Sequence, residues 1–172
     1  YNMKAVLNVI GTEIDAATEA LALRSENPAP YCTWQELAEM SDSGYVEIAS
    51  HSYGFHVYKH GDRTGANCSE NDTVMEFKAD AYIDFYELRT RFERYDIPVP
   101  ITFAYPYSVR STTADKAWRM CGYQILLGGN MASVRSSKIN YFIQEAGLND
   151  HSTLLRRIAR MYGTPIEDYI GQ

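Results

Sequence analysis

The 172-residue chain sets 16 Lys and Arg against 22 Asp and Glu, for a formal charge of -6, and is 45% hydrophobic. That is enough apolar content for one domain with a core, and an acidic balance without clustered basic residues excludes the phosphate neutralisation on which nucleic-acid binding rests. No apolar run approaches the roughly 20 residues of a membrane span, the chain opens on a strand with no visible signal peptide, and Cys32, Cys68 and Cys121 lack any C-x-x-C spacing, so they read as free thiols with two of them buried.

Apolar runs alternate with helical patterns along the chain, which predicts repeated βα units on a parallel sheet or barrel. Lys4 to Ile10 reads as a strand of β-branched and apolar residues, and Ile14 to Leu23 has helical spacing ended by Asn27-Pro28-Ala29-Pro30. Thr33-Trp34-Gln35-Glu36 is a capping box: the Thr hydroxyl and Glu carboxylate satisfy each other's free amides, and the helix runs to Gly44. Tyr45 to Ser50 is the next strand. Thr73-Val74-Met75-Glu76 repeats the capping box and opens the longest helix, whose stripe Val74, Phe77, Ala81, Phe85, Leu88, Phe92 and Tyr95 packs on the sheet rather than on a cofactor. Pro98 to Pro100 punctuates its end before a strand at Ile101 to Ala104. A helix at Thr113 to Cys121 stops at Gly122, Tyr123 to Leu127 is a strand, Gly128-Gly129-Asn130 turns, and Ile139 to Ile143 forms a further strand. The paired glycines are not a phosphate loop, because no Lys followed by Ser or Thr stands in the required place.

Chemistry concentrates in Ser50-His51-Ser52-Tyr53-Gly54-Phe55-His56 at the end of a buried strand. Residues five apart face opposite ways on a strand and lie about 140° apart on a helix, so both imidazoles reach one ion only if the chain turns between them. Gly54 is the residue expected to supply positive φ for that turn. The other reading is two loop histidines satisfied by hydrogen bonds. An all-histidine site that adds His60 is also open, since His56 and His60 would share one face of a helix. Ser52 beside His51 lacks a glycine-flanked elbow, which argues against a serine hydrolase.

The strand running into His51 and His56, the long helix, and Thr102-Phe103-Ala104-Tyr105-Pro106-Tyr107 together resemble the polysaccharide deacetylases with a NodB-homology domain, carbohydrate esterase family 4. Met3 to Gly11 is similar to the family's second barrel strand, so the resemblance covers most of the chain. It implies an α/β fold of the distorted (β/α) barrel type, one partial deacetylase domain over residues 1–172, and hydrolysis of N-acetyl or O-acetyl groups on an envelope or extracellular polysaccharide. By the resemblance His51 and His56 are ligands of a divalent metal, zinc by preference, in a centre with three protein ligands and a position for water.

The family's third ligand and general base are aspartates in a Thr-Phe-Asp-Asp-Gly type motif that this sequence does not contain. The resemblance therefore implies a fragment lacking the first strand and helix, inactive as it stands, with a β-edge free for self-association. It assigns to the Tyr107 amide the stabilisation of negative charge on the reacting carbonyl oxygen, to Pro106 the rigidity of the turn, and to Tyr105 and Pro106 contact with the sugar. Many members have an arginine where Ala104 stands. A subset with Phe-Ala-Tyr-Pro-Tyr carries a late Leu-x-Arg-Ile segment similar to Leu155-Arg156-Arg157-Ile158, which makes Arg157 the candidate substitute, against the alternative of a solvated arginine. The late Leu-x-His acid motif is not recognisable, and His151 lies in a polar stretch. A carbohydrate-binding scaffold that kept the fold without the chemistry is the competing expectation.

Overall fold

The computed structural model describes residues 4–23, 30–128 and 141–143. The elements in chain order are β1 (Ala5–Val9), α1 (Gly11–Ala22), α2 (Trp34–Asp42), β2 (Val46–Ser50), α3 (Val74–Arg94), β3 (Thr102–Ala104), a 3-10 turn (Pro106–Ser108), α4 (Thr112–Met120), β4 (Ile125–Leu127) and β5 (Tyr141–Ile143). All four neighbouring strand pairs are parallel, in the order β1-β2-β3-β4-β5.

This is the α/β fold with a parallel sheet that the alternating pattern predicts. The expected barrel is not shown: among the described residues β1 and β5 are edges and the sheet is not closed.

Both capping boxes form as predicted. The Thr33 and Thr73 side chains accept the N–H of Glu36 and Glu76, and each Glu carboxylate returns to the threonine N–H at 2.7 and 3.0 Å. At 21 residues α3 is the longest described helix. Its stripe is buried at Phe77, Ala81, Phe85, Leu88 and Phe92, while Val74, in the first turn, stays exposed.

Two apolar clusters hold the layers together. Val9, Ile14, Trp34, Leu37, Ile48, Leu88 and Phe92 join β1 and β2 to α1, α2 and α3. Phe77, Phe85, Phe103, Trp118, Tyr123 and Leu126 join β3 and β4 to α3 and α4, with the Phe103 and Trp118 rings stacked at 4.3 Å. Burying an aromatic or aliphatic side chain of this size is worth about 1.5–3 kcal/mol, so the clusters dominate the stability of the fold.

One prediction about the cysteines changes: Cys121 is buried, but Cys32 and Cys68 are only partly so, because they lie at the margins of the two clusters.

Candidate functional site

β2 delivers His51 to the end of the sheet, where its N–H continues the ladder to Val9 O at 2.8 Å. The chain then reverses, but not at Gly54. Ser52 takes the left-handed conformation (φ 73°), and Gly54 is not among the residues with positive φ. Serine tolerates this because its hydroxyl accepts the Phe55 N–H at 3.1 Å while its own N–H reaches Ser50 Oγ at 3.2 Å.

Neighbouring elements hold the turn through its peptide groups. The first amides of α1 find no side-chain cap; Gly11 N–H donates to Ser52 O and Thr12 N–H to Tyr53 O, at 3.1 and 2.9 Å. That approach needs a glycine, since a Cβ on Gly11 would lie 3.1 Å from Tyr53 Cα and against the Tyr53 ring. From the other side Asp84 of α3 accepts Tyr53 N–H on Oδ2 at 2.8 Å and Gly54 N–H on Oδ1 at 2.7 Å. Asp84 is only 6% exposed. Burial raises its pKa to about 6 although the amides of Gly54, Tyr53 and Phe55 oppose the shift. The Tyr53 hydroxyl donates to Asp15 and accepts from Arg91, whose guanidinium lies over the Tyr53 ring, and burial with the Asp15 bond pushes this phenol up to about 12.

The turn brings the His51 and His56 rings to 5.0 Å between centres, tilted by 47°. Two imidazoles on one tetrahedral zinc, with N–Zn of about 2.0–2.1 Å, have their ring centres about 5 Å apart, so the separation suits a shared ion. His51 Nδ1 lies 2.9 Å from Ala104 O. A carbonyl can only accept, so Nδ1 carries the proton and Nε2 keeps its lone pair for a ligand bond. Burial foremost, and the neighbouring His56, depress the His51 pKa against the opposing Ala104 bond, which favours the neutral ring that metals require.

The His56 ring stacks on Tyr107 at 4.8 Å, and Tyr58 stands edge-on to Tyr107 at 5.4 Å. The second motif thus meets the first. Gly65, after the turn, packs its backbone against Pro106, where a Cβ would approach the Pro106 carbonyl oxygen to 2.8 Å.

Not every predicted residue reaches this place. Tyr105 is fully buried, its hydroxyl donating to Asp115 at 2.9 Å, and Pro106 is buried with it, so neither is presented to a sugar; the strand before them is covered by α4 on its apolar side. The half-exposed ring is that of Tyr107, whose backbone (φ 57°) is left-handed and whose N–H has no partner among the described residues. His60 sits in an exposed loop bridged to Arg63, not on a helix with His56. Among the described residues no three His, Cys, Asp or Glu side chains are grouped to hold a metal, and His51 and His56 stand as a pair. Arg157 and His151 lie outside the described residues.

Asp84 escaped the sequence reading, yet it falls seven residues after Phe77 and three after Ala81, an acid on an apolar stripe. The Asn8 side-chain oxygen on β1 is buried without a partner among the described residues.

An open parallel sheet with imidazoles at the carboxyl ends of its strands defines an α/β protein with a site at the strand termini. The polysaccharide deacetylase family model matches residues 1–126, and the chain belongs to that family. No curated protein matches it in sequence. Among solved structures, it is similar to a de-N-acetylase from Aggregatibacter actinomycetemcomitans (23% identity, TM-score 0.66, 91% of this chain and 65% of that one). It is also similar to the BpsB deacetylase domain from Bordetella bronchiseptica (20%, TM-score 0.64, 84% and 61%). A third likeness is to IcaB from Ammonifex degensii (18%, TM-score 0.60, 90% and 60%). At these identities the likeness is one of fold, and the chain spans about 60–65% of the length of each of the three.

Proposed function

We propose that the chain forms the histidine-bearing part of a metal-dependent deacetylase of the NodB-homology type, carbohydrate esterase family 4, in its Phe-Ala-Tyr-Pro-Tyr subset. Its substrate would be an acetylated polysaccharide of the cell envelope or exterior, cleaved at N-acetyl or, less often, O-acetyl groups. The observation that carries this reading is the His51–His56 pair, 5.0 Å apart, with His51 Nδ1 engaged by Ala104. Membership of the polysaccharide deacetylase family and the names of the structures it resembles support the same reaction. The finer fold proposal is a distorted barrel to which the open sheet contributes consecutive strands.

His51 and His56 would hold the ion, zinc by preference, and such an ion supplies Lewis acidity toward water and an amide carbonyl. The chain's own residues do the rest. The Ala104 carbonyl fixes the His51 tautomer, and burial favours the neutral form of that ring. The Tyr107 N–H, without a partner among the described residues, is the donor proposed for the carbonyl oxygen as it gains negative charge, held by the turn that Pro106 starts. The Tyr107 ring, not that of Tyr105, offers an aromatic face to a sugar. Arg157 is the group proposed to orient the base. The 172 residues contain no adjacent aspartates and, among the described ones, His51 and His56 stand as a pair, so we expect little acetate release from this chain alone.

The first test is calorimetric titration with zinc of the chain and of a His51→Ala, His56→Ala double variant. Heat of binding is expected only from the unsubstituted chain, and identical isotherms would overturn the assignment. The second is acetate release from N-acetylated glycans by the full-length gene product that carries these residues. Binding of such glycans without acetate release would favour the non-catalytic scaffold.

A further inference from the structure

The hydrogen bonds of the His51–His56 turn fall into an unequal pattern. Its carbonyls, Ser52 O and Tyr53 O, are taken by backbone amides at the start of α1, whereas two consecutive amides, Tyr53 and Gly54, depend on one side chain. That side chain, Asp84, comes from α3, 30 residues further along. Each oxygen serves a different amide, and the groups around the carboxylate are those amides, the Phe55 N–H and, at longer range, Cys121 and Tyr123. Among the described residues no cation meets Asp84, and its carboxylate is matched to peptide N–H groups. The resulting concavity of successive amides around an anion forms only when the three residues between Ser52 and His56 adopt this one path.

We propose that Asp84 is a positioning residue for the histidine pair: by holding the Tyr53 and Gly54 amides it sets the separation and orientation of His51 and His56, and thereby their affinity for a divalent cation. The proposal rests on the reading of that pair as a metal centre. It makes a sharp chemical distinction. Asparagine has the shape of aspartate but only one acceptor oxygen, and Asp84 uses both, so in either orientation of the amide an NH2 group faces a backbone N–H. Glutamate keeps both acceptors on a longer stem and should restore part of what asparagine loses.

The test compares the full chain with Asp84→Asn, Asp84→Glu and Leu88→Ala. Leu88 is a fully packed neighbour on α3 that makes no hydrogen bond to the turn, and so it controls for lost stability. Zinc affinity is read by calorimetry, and the imidazole tautomers by long-range proton–nitrogen NMR without metal. We expect Asp84→Asn to weaken zinc binding at least tenfold and to erase the single-tautomer signal of His51 or His56. Asp84→Glu should recover part of both, and Leu88→Ala should keep both while lowering the melting temperature.

Wild-type affinity in Asp84→Asn, or an equal loss in Leu88→Ala, would overturn the proposal. If the unsubstituted chain binds no zinc, the metal reading fails, and the tautomer signals still decide whether Asp84 positions the rings. Should Asp84→Asn not fold, amide exchange in the unsubstituted chain decides. Slow exchange at Tyr53 and Gly54 is expected, and exchange there as fast as at Tyr58 and Lys59 would contradict the clamp.

Discussion

Replacing Gly11 by alanine tests whether the histidine turn is as closely seated on α1 as its geometry demands. The added Cβ would lie 3.0 Å from Leu88 Cδ1 and 3.1 Å from Tyr53 Cα, besides meeting the Tyr53 ring. That ring cannot swing away freely, because its hydroxyl is held by Asp15 and Arg91. The backbone of the turn must therefore yield, stretching the Gly11–Ser52 and Thr12–Tyr53 hydrogen bonds. Overpacking costs about 1–3 kcal/mol and each weakened hydrogen bond about 0.5–1.5 kcal/mol, while alanine in a helix returns about 0.5–1 kcal/mol. The balance is a loss centred on about 3 kcal/mol, or about 6–12 °C in melting temperature for a chain of this size. Thermal unfolding followed by circular dichroism measures it. Gly54→Ala is the control: its Cβ meets nothing closer than Thr12 Cγ2 at 3.8 Å, and its backbone is not left-handed, so a change within about 0.5 kcal/mol is expected. A Gly11→Ala protein that melts at or above the parent temperature would refute the close seating.

Three other outcomes follow from the same geometry. Thr33→Ala removes the acceptor for the Glu36 amide at the start of α2 and should cost about 1 kcal/mol in denaturant unfolding; no change would mean that the box is not formed in solution. The titrations of His51 and Asp84 run in opposite directions. His51, depressed chiefly by burial, contributes stability above the unfolded value of 6.5 and loses it as pH falls through its lower folded pKa; Asp84, raised to about 6, contributes fully below 3.8 and loses its contribution as pH rises through 6. NMR titration of the imidazole and carboxyl carbons separates them, and an Asp84 midpoint at or below 4 would contradict the buried clamp. Finally, the outer edge of β1, with Val6 and Leu7 exposed, should promote self-association; a monodisperse monomer at high concentration, with slow amide exchange across Lys4 to Ile10, would rule that out.

The parts of the fold legible in the sequence are those whose causes are local. The boxes at Thr33 and Thr73 lie within four residues, and the α3 stripe repeats with the helical period, so both could be read off directly. The start of α1 at Gly11, three residues before the predicted Ile14, could not, because its amides are satisfied by carbonyls some forty residues later. β4 begins at Ile125 rather than Tyr123 for a similar reason: the Tyr123 N–H returns to Trp118 O, closing the end of α4.

At the site, the pairing of His51 with His56 and the meeting of the two motifs were legible; the atoms that enforce them were not. Composition favours glycine for a left-handed turn, but Ser52 takes that conformation with help from its own hydroxyl. The resemblance alone put Tyr105 against the sugar, and nothing in the sequence decides which way an aromatic residue after a strand points. Its direction is set by Asp115 on α4 and by the backbone of Gly128, where a Cβ would lie 3.1 Å from Tyr105 Cβ.

A turn gripped by its peptide groups has a consequence for divergence. The ties at Ser52, Tyr53 and Gly54 that involve main-chain atoms survive any change of side chain that leaves the path of the backbone intact. Val57 and Tyr58, immediately after His56, expose their side chains beside the histidine pair and hold the region only through the Val57 backbone, paired with Gly65, and the edge of the Tyr58 ring on Tyr107. Substitutions could therefore accumulate at these two positions, altering what the surface next to the histidines recognises while the histidines stay in place. For an engineer, substitution at Val57 and Tyr58 leaves the hydrogen bonds of the turn itself untouched, whereas Gly11 and Asp84 are positions to leave alone.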